Sequence, residues 1–388
     1  LISGRVEKVK PSATLDITAK AKAMKEKGED VISLGAGEPD FDTPEHIKSA
    51  LYEAVKQGFV YYTPAAGIIE LREAISEKFE KDNNIRYDPV NEIIVTPGAK
   101  QALYEAIVAL VNPGDEVLIP DPWWVSYVPM VQLAEGRAVF VPTYEEEKFK
   151  LTPEVLQEKV TRKTKVLIIN SPNNPTGAVL EKEDLKGISE ICIDNDILVI
   201  SDEIYEHIIY DVKHYSIASF DEMKERTITV NGFSKAYSMT GWRLGYAAGP
   251  SNIIKAMIRV QSHSVSNATS FVQKAGIAAL KGPQDCVKEM NMEFKKRRDT
   301  IVKMLNNIDL VSCVEPGGAF YAFPNFSNYD KNSFKLANFL LEKAKVALIP
   351  GGAFGEQGEG FLRLSYATSM ENIKEGVRRI QEALEKNG

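Results

Sequence analysis

Two cations stand eight residues apart in NGFSKAYSMTGWRLGY, residues 231–246: the amine of Lys235, after small residues that expose backbone, and the guanidinium of Arg243, before an apolar run. An amine can attack a carbonyl carbon or relay a proton, and a guanidinium is a planar fork that fits phosphate or carboxylate. Other polar residues follow short β-branched runs. EIIV leads into Thr96-Pro97-Gly98-Ala99-Lys100, KVLIIN into Ser171-Pro172-Asn173-Asn174-Pro175-Thr176-Gly177, ILVIS into Asp202-Glu203-Ile204-Tyr205, and RTITV into the lysine segment itself. In open α/β sheets ligands bind just beyond the carboxyl ends of strands, so these positions are the candidates. Together they offer helix-N-terminal amides, an amide side chain, a carboxylate, a phenol and a lysine.

Periodicity indicates which strands and helices carry these residues. From about residue 91, EIIV, EVLI, AVFV, KVLIIN, ILVIS, RTITV and LGYAA alternate with helical patterns, which predicts an α/β fold with a mainly parallel seven-stranded sheet between helices. The best-marked helix starts after Pro97-Gly98, carries Leu103, Ala106, Ile107, Leu110 and Val111 on one face, and stops at Pro113-Gly114. Its N-terminal amides and dipole favour an anion, and Arg243 is placed to add a bidentate contact. Residues 14–27 read as a helix closed by Gly28, and VISL as a short strand. Beyond about residue 282 come long charged helices, the strand-like AFYAF, VALIP and FLRLSYA, and a last helix with Thr368 and Glu371 spaced as a capping box. The expected division is a large domain over 46–281 and a smaller α+β domain from 282–388, joined by the N-terminal segment 1–45.

Composition excludes several functions. The chain has 388 residues, 44% hydrophobic, and a formal charge of −7 without a basic face, so nucleic acid and anionic membranes are not expected partners. Cys192, Cys286 and Cys313 form no C-x-x-C pair, which fits a reducing cytoplasm. The N-terminus lacks an apolar signal core, and no run approaches the roughly 18 apolar residues of a membrane span. The four histidines form no ligand cluster, so no metal is expected. No G-x-x-x-x-G-K-[ST] occurs, and Gly35-Ala36-Gly37-Glu38-Pro39-Asp40 lacks the third glycine of a dinucleotide fingerprint.

A carboxylate, a phenol, a lysine and a phosphate cradle fit pyridoxal 5'-phosphate, whose aldehyde needs an amine and whose ring nitrogen needs an acidic partner. GFSKAYSMTGWRLG, residues 232–245, resembles the cofactor-lysine signature of class I aminotransferases of fold type I. AGEPDFDTP, YYTPAAG, PGAKQAL, SPNNPTG, SDEIYE, GGAFYAF and RLSYAT stand in the family's order over nearly the whole chain.

The resemblance implies a ping-pong transamination through a Lys235 aldimine, with Lys235 also shuttling the proton. Asp202 is then the partner of the pyridine nitrogen, and Tyr205 and Asn174 donate to the cofactor's phenolic oxygen. Gly98, Ala99, Lys100, Ser234 and Arg243 are further cofactor-binding positions, and Tyr62 reaches the phosphate across the interface of a homodimer. Trp124 is the aromatic plate on the pyridine ring, with Trp123 as a twin that only packs. Many relatives carry a hydroxyl residue where this chain has Gly232. The substrate α-carboxylate falls to Arg363, with Asn174, Trp124 and the Gly37 amide beside it.

Bacterial-type aspartate aminotransferases of the aspartate/prephenate subgroup are the most similar. Their distal-carboxylate contacts correspond here to Lys100 and to Lys10 and Thr14 of KPSAT. The implied reaction is L-aspartate plus 2-oxoglutarate to oxaloacetate plus L-glutamate. The alternatives are a prephenate or aromatic aminotransferase, or a pyridoxal-phosphate β-lyase.

Overall fold

A computed structural model of the chain describes residues 2–9 and 13–386, with only the backbone described for 13–15. Strand β1 (Ile32–Ser33) comes first. The seven β-branched runs then form β2 (Ile93–Thr96), β3 (Glu116–Asp121), β4 (Arg137–Pro142), β5 (Thr164–Asn170), β6 (Leu198–Asp202), β7 (Thr227–Gly232) and β8 (Gly245–Ala248). They make one sheet in the order β2-β8-β7-β6-β5-β3-β4, in which β8 alone runs opposite to the other six strands. Side chains alternate between its faces, as the two-residue period requires. Ile94, Val117, Ile119, Val166 and Ile168 pack with the helices Ala99–Leu110 and Ser251–Ser262. Ile93 and Val95 turn the other way, toward the helices Glu45–Lys56, Ile69–Lys78 and Ser270–Lys281.

A separate core holds the rest. Strands β9 (Tyr321–Ala322), β11 (Ile349–Pro350) and β12 (Leu362–Ser365) form an antiparallel sheet in the order β11-β12-β9, while β10 (Val346–Ala347) pairs in parallel with β1. Phe294, Phe320, Phe323, Leu364 and Val377 share this core with Ile17, Val31 and Leu34, so the N-terminal segment folds onto the C-terminal one. The first helix of this core spans Ala13–Glu26, and Gly28 follows at φ 84°. No described helix is long and apolar enough to cross a membrane.

One expected cap is displaced by a residue. The last helix spans Met370–Glu385 with Ser369 as its N-cap, whose hydroxyl accepts from the Asn372 amide at 3.2 Å. Glu371 is therefore second in the helix rather than third, and Thr368 Oγ1 accepts instead from the Asn372 side chain.

Behind the sheet lies a buried ion pair, Lys78 with Glu206. Glu206 also accepts from Asn83 Nδ2 at 2.9 Å and from Asn231 Nδ2 at 2.6 Å. Burial alone would raise the Glu206 carboxyl, but the Lys78 ammonium holds it well below the usual carboxylate range.

Candidate active site

Register brings the strand ends into line: Asn170 pairs with Asp202, and Asp202 with Val230. Beyond them opens a cleft of about 540 Å³. Gly37, Ala99, Lys100, Trp124, Asn174, Asp202, Tyr205, Ser234, Lys235, Arg243 and Arg363 all line it. Tyr62 does not; it is 89% exposed on the outer surface. Lys10 lies outside the described residues, as does the side chain of Thr14.

One end of the cleft is built for an anion. Gly98, at φ 88°, caps the helix Ala99–Leu110, and a Cβ there would sit 2.5 Å from Arg243 Nη2. Below it, a Cβ on Gly245 would sit 2.3 Å from the Ala99 nitrogen. These two glycines let the Arg243 guanidinium and the first amides of the helix approach one another. The guanidinium donates to the carbonyls of Thr240 at 2.9 Å and Pro97 at 3.4 Å, and no carboxylate pairs with it among the described residues. Gly232 donates its amide to Asn231 Oδ1 at 2.7 Å. Ser234 offers a hydroxyl with no protein partner among the described residues, so it is the open hydroxyl in the cleft.

At the centre, Asp202 is buried and accepts from the Tyr127 hydroxyl at 2.7 Å and the Ile204 amide at 3.3 Å. Burial pushes its carboxyl up to about 6. Trp124 meets the Tyr127 ring edge-on in the cleft wall, whereas Trp123 stacks on Phe140 with centroids 4.3 Å apart. Lys100 Nζ lies 4.9 Å from the Trp124 ring, and burial followed by the Arg243 charge lowers its pKa.

Lys235 Nζ donates to the Gly37 carbonyl at 2.5 Å. Burial lowers this amine to about 8; Glu38 opposes the shift, and Arg363 and Arg243 add to it. A neutral amine is thus accessible near neutral pH.

The far wall carries Arg363, 5% exposed. It donates to Asn174 Oδ1 at 2.9 Å and to the Gly35 carbonyl at 2.8 Å, and its Nε has no acceptor among the described residues. Its guanidinium lies 4.5 Å from the Tyr321 ring. A buried cation without a carboxylate is costly, and this arrangement suits an anionic ligand.

Four contributors escaped the sequence reading. Tyr127 orients Asp202, Asn170 Nδ2 donates to the Asp202 carbonyl at 2.9 Å, Gly35 supports Arg363, and Tyr321 bonds Tyr205. Tyr127 had a faint signal, three residues after Trp124 in DPWWVSY; Tyr321 sits in an apolar run and reads as core.

These groups fit pyridoxal phosphate by their chemistry. The glycine-lined cradle suits its phosphate, the buried carboxylate a protonated ring nitrogen, and the low-pKa amine an aldehyde.

Comparison with known proteins agrees. The family model "Aminotransferase class I and II" matches residues 29–380. The probable aspartate/prephenate aminotransferase of Aquifex aeolicus is 52% identical, over 99% of this chain and 98% of its own. The aromatic aminotransferase from Pyrococcus horikoshii OT3 superposes with a TM-score of 0.91 at 49% identity, covering 95% of this chain and 99% of that one. The aspartate aminotransferase from Thermus thermophilus with maleate gives 0.95 at 43% identity, covering 99% of each chain. On this match along its whole length, the chain belongs to the class I and II aminotransferases, enzymes that work with pyridoxal 5'-phosphate.

Proposed function

We propose that this aminotransferase moves the amino group of L-aspartate to 2-oxoglutarate, as a homodimer in the cytoplasm. Residues 46–281 form the cofactor domain in this reading, and 1–45 with 282–388 the smaller one. The observation that carries the substrate class is a pair of cations without carboxylate partners among the described residues: Arg363, buried with an orphan Nε, and Lys100 beside Trp124. Two such cations suit a dicarboxylate. Relatives named for aspartate, one of them with maleate, support that choice.

The bound cofactor supplies an electrophilic carbon and an electron sink. The chain does the rest. Arg363 and Asn174 bind and orient the α-carboxylate. Lys235, as a free base, would take the proton from the substrate Cα and return it to the carbon on the far side of the substrate nitrogen. Asp202, oriented by Tyr127, holds the proton on the ring nitrogen, and Tyr205 donates to the phenolic oxygen. Gly98, Ala99, Ser234 and Arg243 bind the phosphate, with Trp124 against the ring. Lys100 receives the distal carboxylate, with Lys10 and Thr14 assigned beside it. Tyr61 and Tyr62, 81% and 89% exposed, support a covered face in the dimer, with Tyr62 serving the neighbouring site.

Lys100→Ala tests the donor assignment. The aspartate KM should rise at least about tenfold, the scale of one lost charge-assisted contact, while an aromatic donor is spared. Equal losses with both donors would favour the reading the Pyrococcus relative suggests, an aromatic aminotransferase.

A further inference from the structure

Tyr321 is fully buried on β9, opposite Ser365 of β12 and so two residues along that strand from Arg363. It touches three parts of the site at once. The face of its ring carries the Arg363 guanidinium at 4.5 Å. Its hydroxyl lies 2.8 Å from the hydroxyl of Tyr205. The same hydroxyl sits under Gly37, where a Cβ would approach it to 3.2 Å, and the Gly37 carbonyl accepts from Lys235.

Two phenols that share one hydrogen bond must divide the roles, one donating and the other accepting. Among the described residues neither hydroxyl has another protein partner. A Tyr205 that points its proton at a ligand therefore has to accept from Tyr321. The Arg363 cation over the Tyr321 ring draws electron density from that phenol and makes it the better donor of the two. The bond is thereby polarised from Tyr321 to Tyr205, and chains of hydrogen bonds strengthen in one direction. An anion bound to Arg363 cancels part of that cation and weakens the polarisation.

We infer that Tyr321 is a positioning residue that fixes Tyr205 as a donor toward the cofactor and transmits to it the occupancy of the Arg363 clamp. This rests on the roles given above to Tyr205 and Arg363. Tyr321→Phe isolates it, because the ring under the guanidinium stays and only the hydroxyl goes.

Three measurements read the effect: the dissociation constant of pyridoxal phosphate from the apoenzyme, followed by tryptophan fluorescence; the pH midpoint of the visible absorbance of the loaded enzyme; and the displacement of that midpoint by succinate, a dicarboxylate that cannot react. For Tyr321→Phe the dissociation constant should rise about three- to tenfold, the scale of one hydrogen bond. The midpoint should move, and succinate should displace it less than in the parent. kcat should fall more than KM changes. In a Tyr205→Phe background, Tyr321→Phe should add nothing further, since its path runs through that hydroxyl.

A Tyr321→Phe enzyme that melts earlier but keeps the parent affinity, midpoint and succinate response would overturn the inference, as would full additivity with Tyr205→Phe. Tyr205→Phe alone separates the two levels. If it leaves affinity and absorbance unchanged, the reading of Tyr205 falls and the inference with it. If it changes them while Tyr321→Phe does not, only the inference falls.

Discussion

Lys78 and Arg363 are both buried cations, 7% and 5% exposed, yet their surroundings differ in kind. Lys78 meets a full carboxylate, Glu206, and an amide oxygen from Asn83. Arg363 meets only neutral oxygens and two aromatic faces, Tyr321 and Phe354, and keeps an orphan Nε. The first charge is satisfied within the fold and has nothing left to offer. The second is incomplete until an anion arrives. Asp202 mirrors Arg363 with the opposite sign: a buried carboxylate held by neutral donors, with no cation bonded to it among the described residues. Compensation, rather than burial, separates the charges that build this protein from those that serve its ligands.

The sharpest way to break this contrast is Arg363→Ala. Losing one partner of a buried, hydrogen-bonded charge pair costs about 2–5 kcal/mol, so kcat/KM for the amino donor should fall by roughly 30-fold to several-thousand-fold. The melting temperature should hold or rise, because an unpaired buried charge is gone. Calorimetry beside steady-state kinetics reads both, and a variant that loses stability rather than turnover would erase the distinction.

Glu206→Gln should do the reverse. It strands the Lys78 ammonium and should cost about 3–5 kcal/mol in denaturant unfolding, with a smaller change in KM. Removing the stranded ammonium as well, Lys78→Met with Glu206→Gln, should recover most of that loss, since no unpaired charge is left and the glutamine oxygen still accepts from an asparagine amide. A double variant as unstable as the single would show that the pair does more than neutralise itself.

The smallest effect lies in pH. The folded Asp202 carboxyl is raised to about 6, above its unfolded value of about 3.9, so protonation favours the folded apoenzyme. Its contribution should grow as pH falls from 7 toward 4, by on the order of 1 kcal/mol, and vanish in Asp202→Asn. Glu206 has the opposite sign. Its depressed pKa contributes stability above the unfolded value of about 4.3, which is lost as pH falls through the folded one. Unfolding curves from pH 7 to 4 for the parent and the Asp202→Asn variant would show whether the predicted gain exists.

The parts of the site that were legible in the sequence are those marked by strand ends. Ala99, Asn174, Asp202 and Lys235 follow β-branched runs closely, and the topology of an open sheet turns that position into a shared cleft. Partnerships across long separations were not legible. Tyr127 reaches Asp202 over 75 residues, and Tyr321 reaches Tyr205 over 116. Either tyrosine fits an apolar core equally well, and only the fold gives its hydroxyl a partner. Lys78 lies in a charged helical segment that reads as surface, because nothing local announces Glu206. The direction of β8 is invisible for a different reason: side-chain alternation is the same whichever way a strand runs. The cap falls at Ser369 rather than Thr368 because two adjacent hydroxyls suit the role equally well in sequence, and only the backbone path decides which one accepts from the Asn372 amide.

Gly98 and Gly245 bring main chain and guanidinium together at the phosphate end of the cleft. The main-chain part of the cradle leaves no room for an added carbon at either glycine, so it cannot be reshaped by small substitutions there. Any carbon added at Gly245 meets the Ala99 nitrogen at 2.3 Å, and any added at Gly98 meets Arg243 at 2.5 Å. Under the proposed function, variation in substrate choice would fall on Lys100 and Arg363 rather than on these two glycines. One enzyme architecture can change what it transforms and still hold its cofactor in the same grip.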